Sequence, residues 1–317
     1  MRIQAAVLLL PLLGASLLLN GCIYVGDWGD NMSSVHEDFH STHPLSAGGT
    51  VTVESFNGSV DITGWEQNSV EINGTKYGNS KSAVDQMKVD VNANPNSIRV
   101  RATRPSEFQW HNGGGIRFAI RVPHKVILDL ISTSNGKIQI EDIEGTVHLR
   151  TSNGTIRISR VKGDVEAGTS NGTIEAQDLD GTTRFHTNNG SIRAESNRGS
   201  FEGVTSNGSI TARLHDPSGS SPVRAETSNG HIELTFDSKT LPEVRAGTSN
   251  SSILIRVPAS ANARVRASTS HSSITSDFDE LSTDRGRRHS EVDGTIGRGG
   301  PLLDLHSSNG AIKIMKL

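Results

Sequence analysis

Apolar and polar residues alternate along much of the chain from Gly48 onward, beginning with GGTVTVESFNGSVDITGW. Alternation with a period of two is typical of β-strands that bury one face. The same pattern predicts further strands at Ser69–Thr75, Met87–Val91, Ser97–Ala102, Ile116–Val122 and Val126–Ile131. Only SKSAVDQMK is compatible with a short helical turn, and no long amphipathic helix is indicated. The pattern predicts an all-β protein.

Further along, the alternation is organised by a hexapeptide that recurs. TSNGKI at Thr133 is followed by close copies at 18-residue intervals, at Thr151, Thr169, Thr187 and Thr205. Later copies begin at Thr227, Thr248, Thr269 and Ser307, and SFNGSV at Ser55 is a diverged first copy. Repeats of about 20 residues indicate stacked units. We therefore predict a less regular β region over 47–131 and regular repeats over 132–317, with an insertion around 277–301.

Each repeat contains two short strands and two tight turns, which leaves two architectures open. An Asn-Gly step is typical of a hairpin, so the repeats could form an antiparallel meander. In a parallel solenoid, residues one repeat apart would instead be neighbours about 4.8 Å apart. Two outward columns alternate in charge: Arg157, Glu175, Arg193 and Glu166, Arg184, Glu202. Opposite charges stabilise strand neighbours, so we predict a parallel β-solenoid (β-helix) with coils of 18–22 residues, wound right-handed by the usual crossover preference.

The Asn-Gly steps are predicted to be structural corners of this solenoid. The asparagines would stack, each amide donating to the next, and each glycine would permit the bend, often at positive φ. The corner residues are Asn135, Gly136, Asn153, Gly154, Asn171, Gly172, Asn189, Gly190, Asn207, Gly208, Asn229 and Gly230. The threonines before them are expected to point inward, which weakens the alternative of a threonine surface that recognises a glycan.

The N-terminus has the features of an export signal. MRIQAAVLLLPLLGASLLLNGC has one basic residue, a short apolar stretch and small residues before the cysteine, as secretory signals do. The end of this stretch, Leu19 to Cys22, resembles the bacterial lipobox, with Asn20 in place of the usual small residue. The resemblance implies a signal peptide over 1–21 and a diacylglyceryl group and an N-acyl chain, such as palmitate, on Cys22. Two or more acyl chains give stable membrane anchoring.

Residues 22–46 are polar and irregular, and we predict a flexible tether between the lipid and the folded domain. The tether contains His36, His40 and His43, which are either a candidate metal site or part of an ordinary soluble linker. The linker is the preferred interpretation, so no metal and no cofactor are predicted.

Composition and motifs argue against several classes of function. The net charge is −3, so nothing indicates a nucleic-acid partner. Cys22 is the only cysteine, which excludes an intramolecular disulfide. Nucleophile elbows, metalloprotease motifs and phosphate loops are absent, and carboxylates such as Asp178 and Asp180 lie in predicted turns. The cluster Arg285, Arg287, Arg288 and His289 is a candidate anion-binding site, with a solvated loop as the alternative.

The chain resembles the bacterial DUF4097 family, whose members are described as adhesins. The resemblance rests on GGTVTVESFNGSVDI, the TSNG-x-I copies, GTIGRGGP and the closing HSSNGAIKI, and it extends from about Leu45 to Leu317. It implies no catalytic residues.

The predicted function is therefore that of a non-catalytic, lipid-anchored envelope protein, an adhesin or surface scaffold. Its partners would be the membrane, through Cys22, and an envelope glycan or protein. Ile23 after Cys22 favours the outer membrane. A glycan-active β-helix enzyme and a metal or anion sensor are the alternatives.

Overall fold

The fold was obtained as a computed structural model that describes residues 23–24, 35–104, 114–215, 222–281, 284–285 and 290–317. The N-terminal elements are β1 (Ile23–Tyr24), β2 (Val35–Pro44), β3 (Thr50–Glu54), β4 (Val60–Trp65), β5 (Ser69–Gly78), α1 (Lys81–Asp85), β6 (Lys88–Asn94), β7 (Ser97–Thr103) and β8 (Gly114–Pro123). The short helix falls within the predicted SKSAVDQMK segment. The signal peptide and Cys22 lie outside the described residues.

The repeat region supplies two strands from each coil. They are β9 (Ile127–Thr133), β10 (Ile138–Glu144), β11 (Val147–Thr151), β12 (Ile156–Lys162), β13 (Val165–Thr169), β14 (Ile174–Asp180), β15 (Thr183–Thr187), β16 (Ile192–Asn197), β17 (Phe201–Val204), β18 (Ile210–Leu214), β19 (Val223–Thr227), β20 (Ile232–Phe236), β21 (Val244–Thr248), β22 (Ile253–Val257), β23 (Ala263–Thr269), β24 (Ile274–Ser276), β25 (Asp284–Arg285), β26 (Ser290–Ile296), β27 (Leu302–Ser307) and β28 (Ile312–Lys316).

The strands form two long sheets, and each coil contributes one strand to each sheet. The first sheet runs β1-β2-β5-β8-β4-β10-β12-β14-β16-β18-β20-β22-β28-β24. The second runs β25-β26-β23-β27-β21-β19-β17-β15-β13-β11-β9-β3-β7-β6. Successive coils pair in parallel, so that Arg157 lies beside Glu175 and Glu166 beside Arg184. This register confirms the β-solenoid and excludes the meander; the direction of winding stays a prediction.

The core is a narrow layer of aliphatic side chains between the two sheets. Along β12 the inward residues Ile156 and Ile158 are buried, while Arg157 between them is exposed. A fully buried isoleucine stabilises the fold by about 1.5–3 kcal/mol, and the same column is filled in every coil. Phe185 and Phe201 are the large side chains of the middle coils and pack edge to face with centroids 6.1 Å apart. A thin core of this kind needs few aromatic residues.

The Asn-Gly corners form as predicted, but their glycines are required for a different physical reason. None of the six predicted corner glycines has a positive φ, so that expectation is wrong. They are required because the coils approach closely: a Cβ on Gly172 would lie 1.7 Å from the carbonyl oxygen of Gly154. Thr169 is buried and donates from Oγ1 to the same oxygen at 3.2 Å. The inward orientation of these threonines is therefore confirmed.

The stacking order departs from the sequence order at the C-terminal end. The strands β27 and β28 lie between β21–β22 and β23–β24, rather than beyond them. The expectation that every coil lies on its predecessor is therefore wrong for the copy at Thr269. The segment 277–301 between them contains β26, which pairs antiparallel with β23.

The N-terminal region also stacks out of sequence order. The copy at Ser55 lies directly beneath the coil of Thr133, because β4 pairs with β10 and β3 with β9. Below it, β7 and β8 add a further coil, and β5, β2 and β6 continue the two sheets with antiparallel pairs.

The predicted tether is wrong over its second half, where the chain forms the ten-residue strand β2. The strand pairs along its whole length with β5. Its one buried side chain, Phe39, packs across Gly74 and meets Phe118 edge to face at 6.0 Å. A polar sequence can form this strand because the backbone ladder and one aromatic contact hold it. In the described part of the chain, no helix has the length and apolar character of a membrane span.

Candidate functional site

One corner of the solenoid carries a column of backbone bulges. Asp142, Arg160, Asp178 and Ser196 occupy equivalent positions in four successive coils, and their φ angles are 60°, 52°, 53° and 57°. The pairing of β12 with β14 passes over Arg160 and Asp178 without matching them. Non-glycine residues adopt this left-handed conformation uncommonly and at an energetic cost. A column of four such residues marks this corner as a candidate site.

The backbone at this corner is held in place by the glycines that follow each bulge. Gly163 has a φ of 135°, and a Cβ there would lie 2.4 Å from the carbonyl oxygen of Gly145 in the coil below. Gly181 repeats the arrangement on Gly163. The bulged side chains are therefore presented to solvent from a rigid base.

The bulges line a surface groove of about 820 Å³, which we call the bulge groove. One wall is formed by the last residue of β4, Trp65, and by residues that follow β4 and β8, among them Glu66 and His124. The floor is the bulge corner itself, which extends over the coils from Asp142 to His215. The volume is within the range of small-molecule sites in proteins.

The charges on the floor alternate in sign from coil to coil. The first coil presents Asp142 and Glu144, the second Arg160 and Lys162, the third Asp178 and Asp180, and the fourth Ser196 and Arg198. Because neighbouring coils are about 4.8 Å apart, acidic and basic bands follow each other closely along the groove.

The first two bands neutralise each other. Arg160 donates from Nε to Asp142 Oδ1 at 2.6 Å and from Nη2 to Oδ2 at 3.0 Å, and it also bonds Glu141. These bonds raise the pKa of Arg160 and lower that of Asp142. Lys162 lies 3.7 Å from Glu144. This end of the groove is therefore a closed ion-pair network.

The next two bands are left open. Asp178, Asp180 and Arg198 make no ion pair within 4.0 Å with any residue that the structure describes. Both aspartates and the arginine are exposed. Two carboxylates and one guanidinium thus stand side by side with unused hydrogen-bonding capacity.

Histidines and a tryptophan complete the walls. His124 hydrogen-bonds through Nδ1 to the Asp142 carbonyl oxygen at 2.8 Å and places Nε2 3.4 Å from Glu66. At the far end, His215 contacts Asp237 at 2.6 Å. Trp65 donates from its indole nitrogen to the Ser69 carbonyl at 2.8 Å, which holds the ring at the groove edge.

A family model described as Toastrack DUF4097 matches residues 57–315. The chain belongs to the Toastrack DUF4097 family. The family resemblance seen in the sequence is thus confirmed, and no curated protein matches the chain.

Solved structures of low sequence identity are also similar to this DUF4097 chain. They include a putative adhesin (BF0245) from Bacteroides fragilis NCTC 9343, 13% identical, with a TM-score of 0.37 and coverage of 88% of this chain and 97% of that one. A putative adhesin from Parabacteroides distasonis ATCC 8503 is 9% identical, with a TM-score of 0.31 and coverage of 88% and 97%. A putative cell adhesion protein from Clostridium sporogenes ATCC 15579 is 9% identical, with a TM-score of 0.22 and coverage of 88% and 99%.

The predicted asparagine ladder of this DUF4097 solenoid is present at the corner opposite the bulges. Each side-chain amide donates to the asparagine of the coil below, as Asn171 does to Asn153 at 2.7 Å. The ladder contains every predicted asparagine and continues beyond them through Asn57, Asn250 and Asn309. The ladder bonds of these exposed side chains join the coils, which is a structural role.

The other predicted sites are not brought together. His36, His40 and His43 lie on β2, where His40 bonds Asn73 and burial lowers the pKa of His43. No group of three metal-ligating side chains forms in the described residues. Arg287 and Arg288 lie outside the described residues, and for Arg285 the structure describes only the backbone of β25.

The bulge groove was missed because its residues were interpreted as ordinary turns. A signal was present: the inward residues of β12 are Ile156, Ile158 and Val161, so the period of two breaks before Val161. The same break recurs in β10 and β14. A repeated break in alternation at a fixed position predicts a column of bulges.

Proposed function

We propose that this protein is a non-catalytic binding scaffold of the bacterial cell envelope, anchored through lipidated Cys22, that takes its ligand in the bulge groove. The observation that carries the proposal is the open pair of bands, Asp178 with Asp180 and the neighbouring Arg198. These groups project from a corner whose backbone is held by close coil contacts. Because the backbone is already held in place and these groups have no ion pair to give up, a ligand can bind them without rearrangement of the corner.

The ligand that best matches these groups is an envelope glycan that carries both amino and carboxyl groups. The two aspartates would accept hydrogen bonds from hydroxyl or ammonium groups, and Arg198 would donate two parallel bonds to a carboxylate. Trp65 at the groove edge offers an apolar ring surface.

Binding without catalysis is supported by the direction of the pKa shift in the groove. A glycosidase acid needs a carboxyl group whose pKa is raised by an apolar pocket. The groove carboxyl with a shifted pKa is Asp142, and Arg160 lowers its pKa. The open aspartates are exposed to solvent.

Anchoring through Cys22 is supported by the lipobox-like sequence. The residue after it begins β1, and Ile23 pairs with Glu37 on β2. Metabolic labelling with a fatty acid, compared between the native chain and a Cys22→Ser variant, tests this part: label that persists in the variant would refute it.

The binding proposal is tested with a glycan and envelope-component array probed by the Cys22→Ser protein. We expect binding to an amino- and carboxyl-bearing glycan, and at least a tenfold loss in D178N/D180N and in R198Q, since a charged hydrogen bond contributes about 1.5–3 kcal/mol. Asparagine tolerates the left-handed backbone at position 178, so D178N/D180N should fold normally.

The matched control is E166Q/E202Q, which removes two charges from the outer face of the second sheet. This variant should bind as the parent does. Equal binding by all variants would exclude the groove as the site. Release of a cleaved product from the glycan would identify an enzyme instead.

A further inference from the structure

The coil formed by β27 and β28, Leu302–Lys316, lies between two coils that precede it in sequence; we call it the inserted coil. On one side β27 pairs with β21 and β28 with β22. On the other side β27 pairs with β23 and β28 with β24. The coils of Thr248 and Thr269 are therefore separated by a gap of one coil, which this later segment fills.

The inserted coil packs on both of its faces through contacts of the kind that regular coils make, although the coil at Thr269 has His271 in place of the corner asparagine. Asn309 donates to Asn250 at 2.8 Å, and Thr269 Oγ1 donates to the Gly310 carbonyl at 3.0 Å. Its inward-facing aliphatic side chains are at most 1% exposed; they are Leu303, Leu305, Ile312 and Ile314. The gap is thus a complete acceptor for one strand–corner–strand unit.

The inserted coil differs from regular coils in its covalent connection. A regular coil is joined by a turn to a coil that it packs on, so it cannot leave without breaking the stack. The inserted coil follows β26 through the turn 297–301, and β26 pairs with β23 rather than with the inserted coil. Gly297 and Gly299 in this turn have φ angles of 59° and 77°, so the turn can change conformation at low steric cost.

We propose that the gap between β21–β22 and β23–β24 is an acceptor site that the inserted coil of a second copy of this chain can fill, giving a strand-exchanged dimer. The contacts in the gap are the same whether the coil comes from its own chain or from the partner. In dilute solution the gap is filled by the chain's own coil, because the effective concentration of a tethered segment exceeds that of other chains. When the inserted coil leaves the gap transiently at high protein concentration, the coil of a second chain can enter, and the exchanged dimer accumulates. The turn 297–301 is the hinge.

The test uses cysteine pairs that meet only across the gap, in a full chain carrying Cys22→Ser. Arg245 and Asp304 are direct neighbours on β21 and β27. A chain with R245C and a chain with D304C are mixed at high concentration, partly unfolded in urea, refolded and oxidised with glutathione disulfide. We expect a disulfide-linked heterodimer at about ten times the level of a control pair, R245C with R184C, because effective concentration in the gap is high. Arg184 lies on the same sheet in a regular coil.

The geometry is checked in one chain carrying both R245C and D304C, which should form an internal disulfide at low concentration. Absence of that disulfide would show that the inserted coil does not occupy the gap, and the proposal would fail. An internal disulfide together with a heterodimer no more abundant than the control would show that the gap accepts only its own coil, which also overturns the proposal.

Discussion

Arg157 donates from Nε to Glu175 Oε2 at 2.7 Å, and the two residues are 18 positions apart in the chain but direct neighbours on adjacent coils. Glu175 also lies 3.7 Å from Arg193 on the next coil. The 18-residue period of the sequence therefore corresponds to one step between adjacent coils of the solenoid.

The Arg157–Glu175 pair should contribute modestly and depend on salt. A double-mutant cycle with R157A and E175A is expected to give a coupling energy of about 0.2–1 kcal/mol at low salt, because both side chains are exposed. The coupling should decrease in 1 M salt, where the Debye length is about 3 Å and the two charges are strongly screened. Urea unfolding of the native chain, the two single variants and the double variant provides the measurement. A coupling of zero at low salt would contradict a stabilising role for the alternating charge column.

Two glycines of one coil should respond oppositely to alanine. G172A would place a Cβ 1.7 Å from the Gly154 carbonyl oxygen, whereas a Cβ on Gly168 meets nothing within 4 Å. We expect G172A to destabilise the fold by about 3 kcal/mol or more, and G168A to be neutral or to stabilise it by about 0.4–1 kcal/mol. Chemical denaturation followed by circular dichroism distinguishes them. Equal denaturation midpoints for the two variants would mean that adjacent coils are not in close contact at the Asn-Gly corner.

The asparagine ladder should be more sensitive in its middle than at its end. Asn189 donates to Asn171 and accepts from Asn207, both at 2.7 Å. N189A removes two bonds, so we expect a loss of about 1–3 kcal/mol, against about 0.5–1.5 kcal/mol for N309A. Asn309 donates to Asn250 at the ladder end. Thermal or urea unfolding measures both variants, and an N309A loss equal to that of N189A would argue against a continuous ladder.

The Arg160–Asp142 pair should make stability depend on pH in acid. The hydrogen bond from Arg160 lowers the pKa of Asp142 below its ordinary value of 3.8. A carboxyl whose pKa is lower in the folded state stabilises the fold above its unfolded-state pKa, and this contribution is lost as pH falls through the folded-state pKa. The stability difference between the native chain and R160Q should therefore be constant near neutral pH and shrink below about pH 4. A difference that grows in acid would have the wrong sign for this pair.

The local sequence pattern was sufficient to predict the structure of a single coil. Alternation from Ile156 to Ser159, the 18-residue period and the charge columns specify two strands per coil, the face that each strand buries and the register between coils. The asparagine corners follow from the same period, because a residue and its copy in the next coil are neighbours in space. The bulge at Arg160 was also encoded, as a break in alternation, although its role in a groove was not visible.

The order of the coils and the bulge groove were decided only by the tertiary structure. The coils that begin at Thr269 and Ser307 present the same isoleucine column, so Ile312 fits upon Ile253 as well as Ile274 would. Alternation and period cannot rank stacking orders that bury the same apolar surface. The groove likewise needs His124 and Asp142 to meet, and residues outside the repeat, such as Trp65, to form its wall. Such contacts depend on how the irregular N-terminal strands pack beneath the first coil, which no periodicity records.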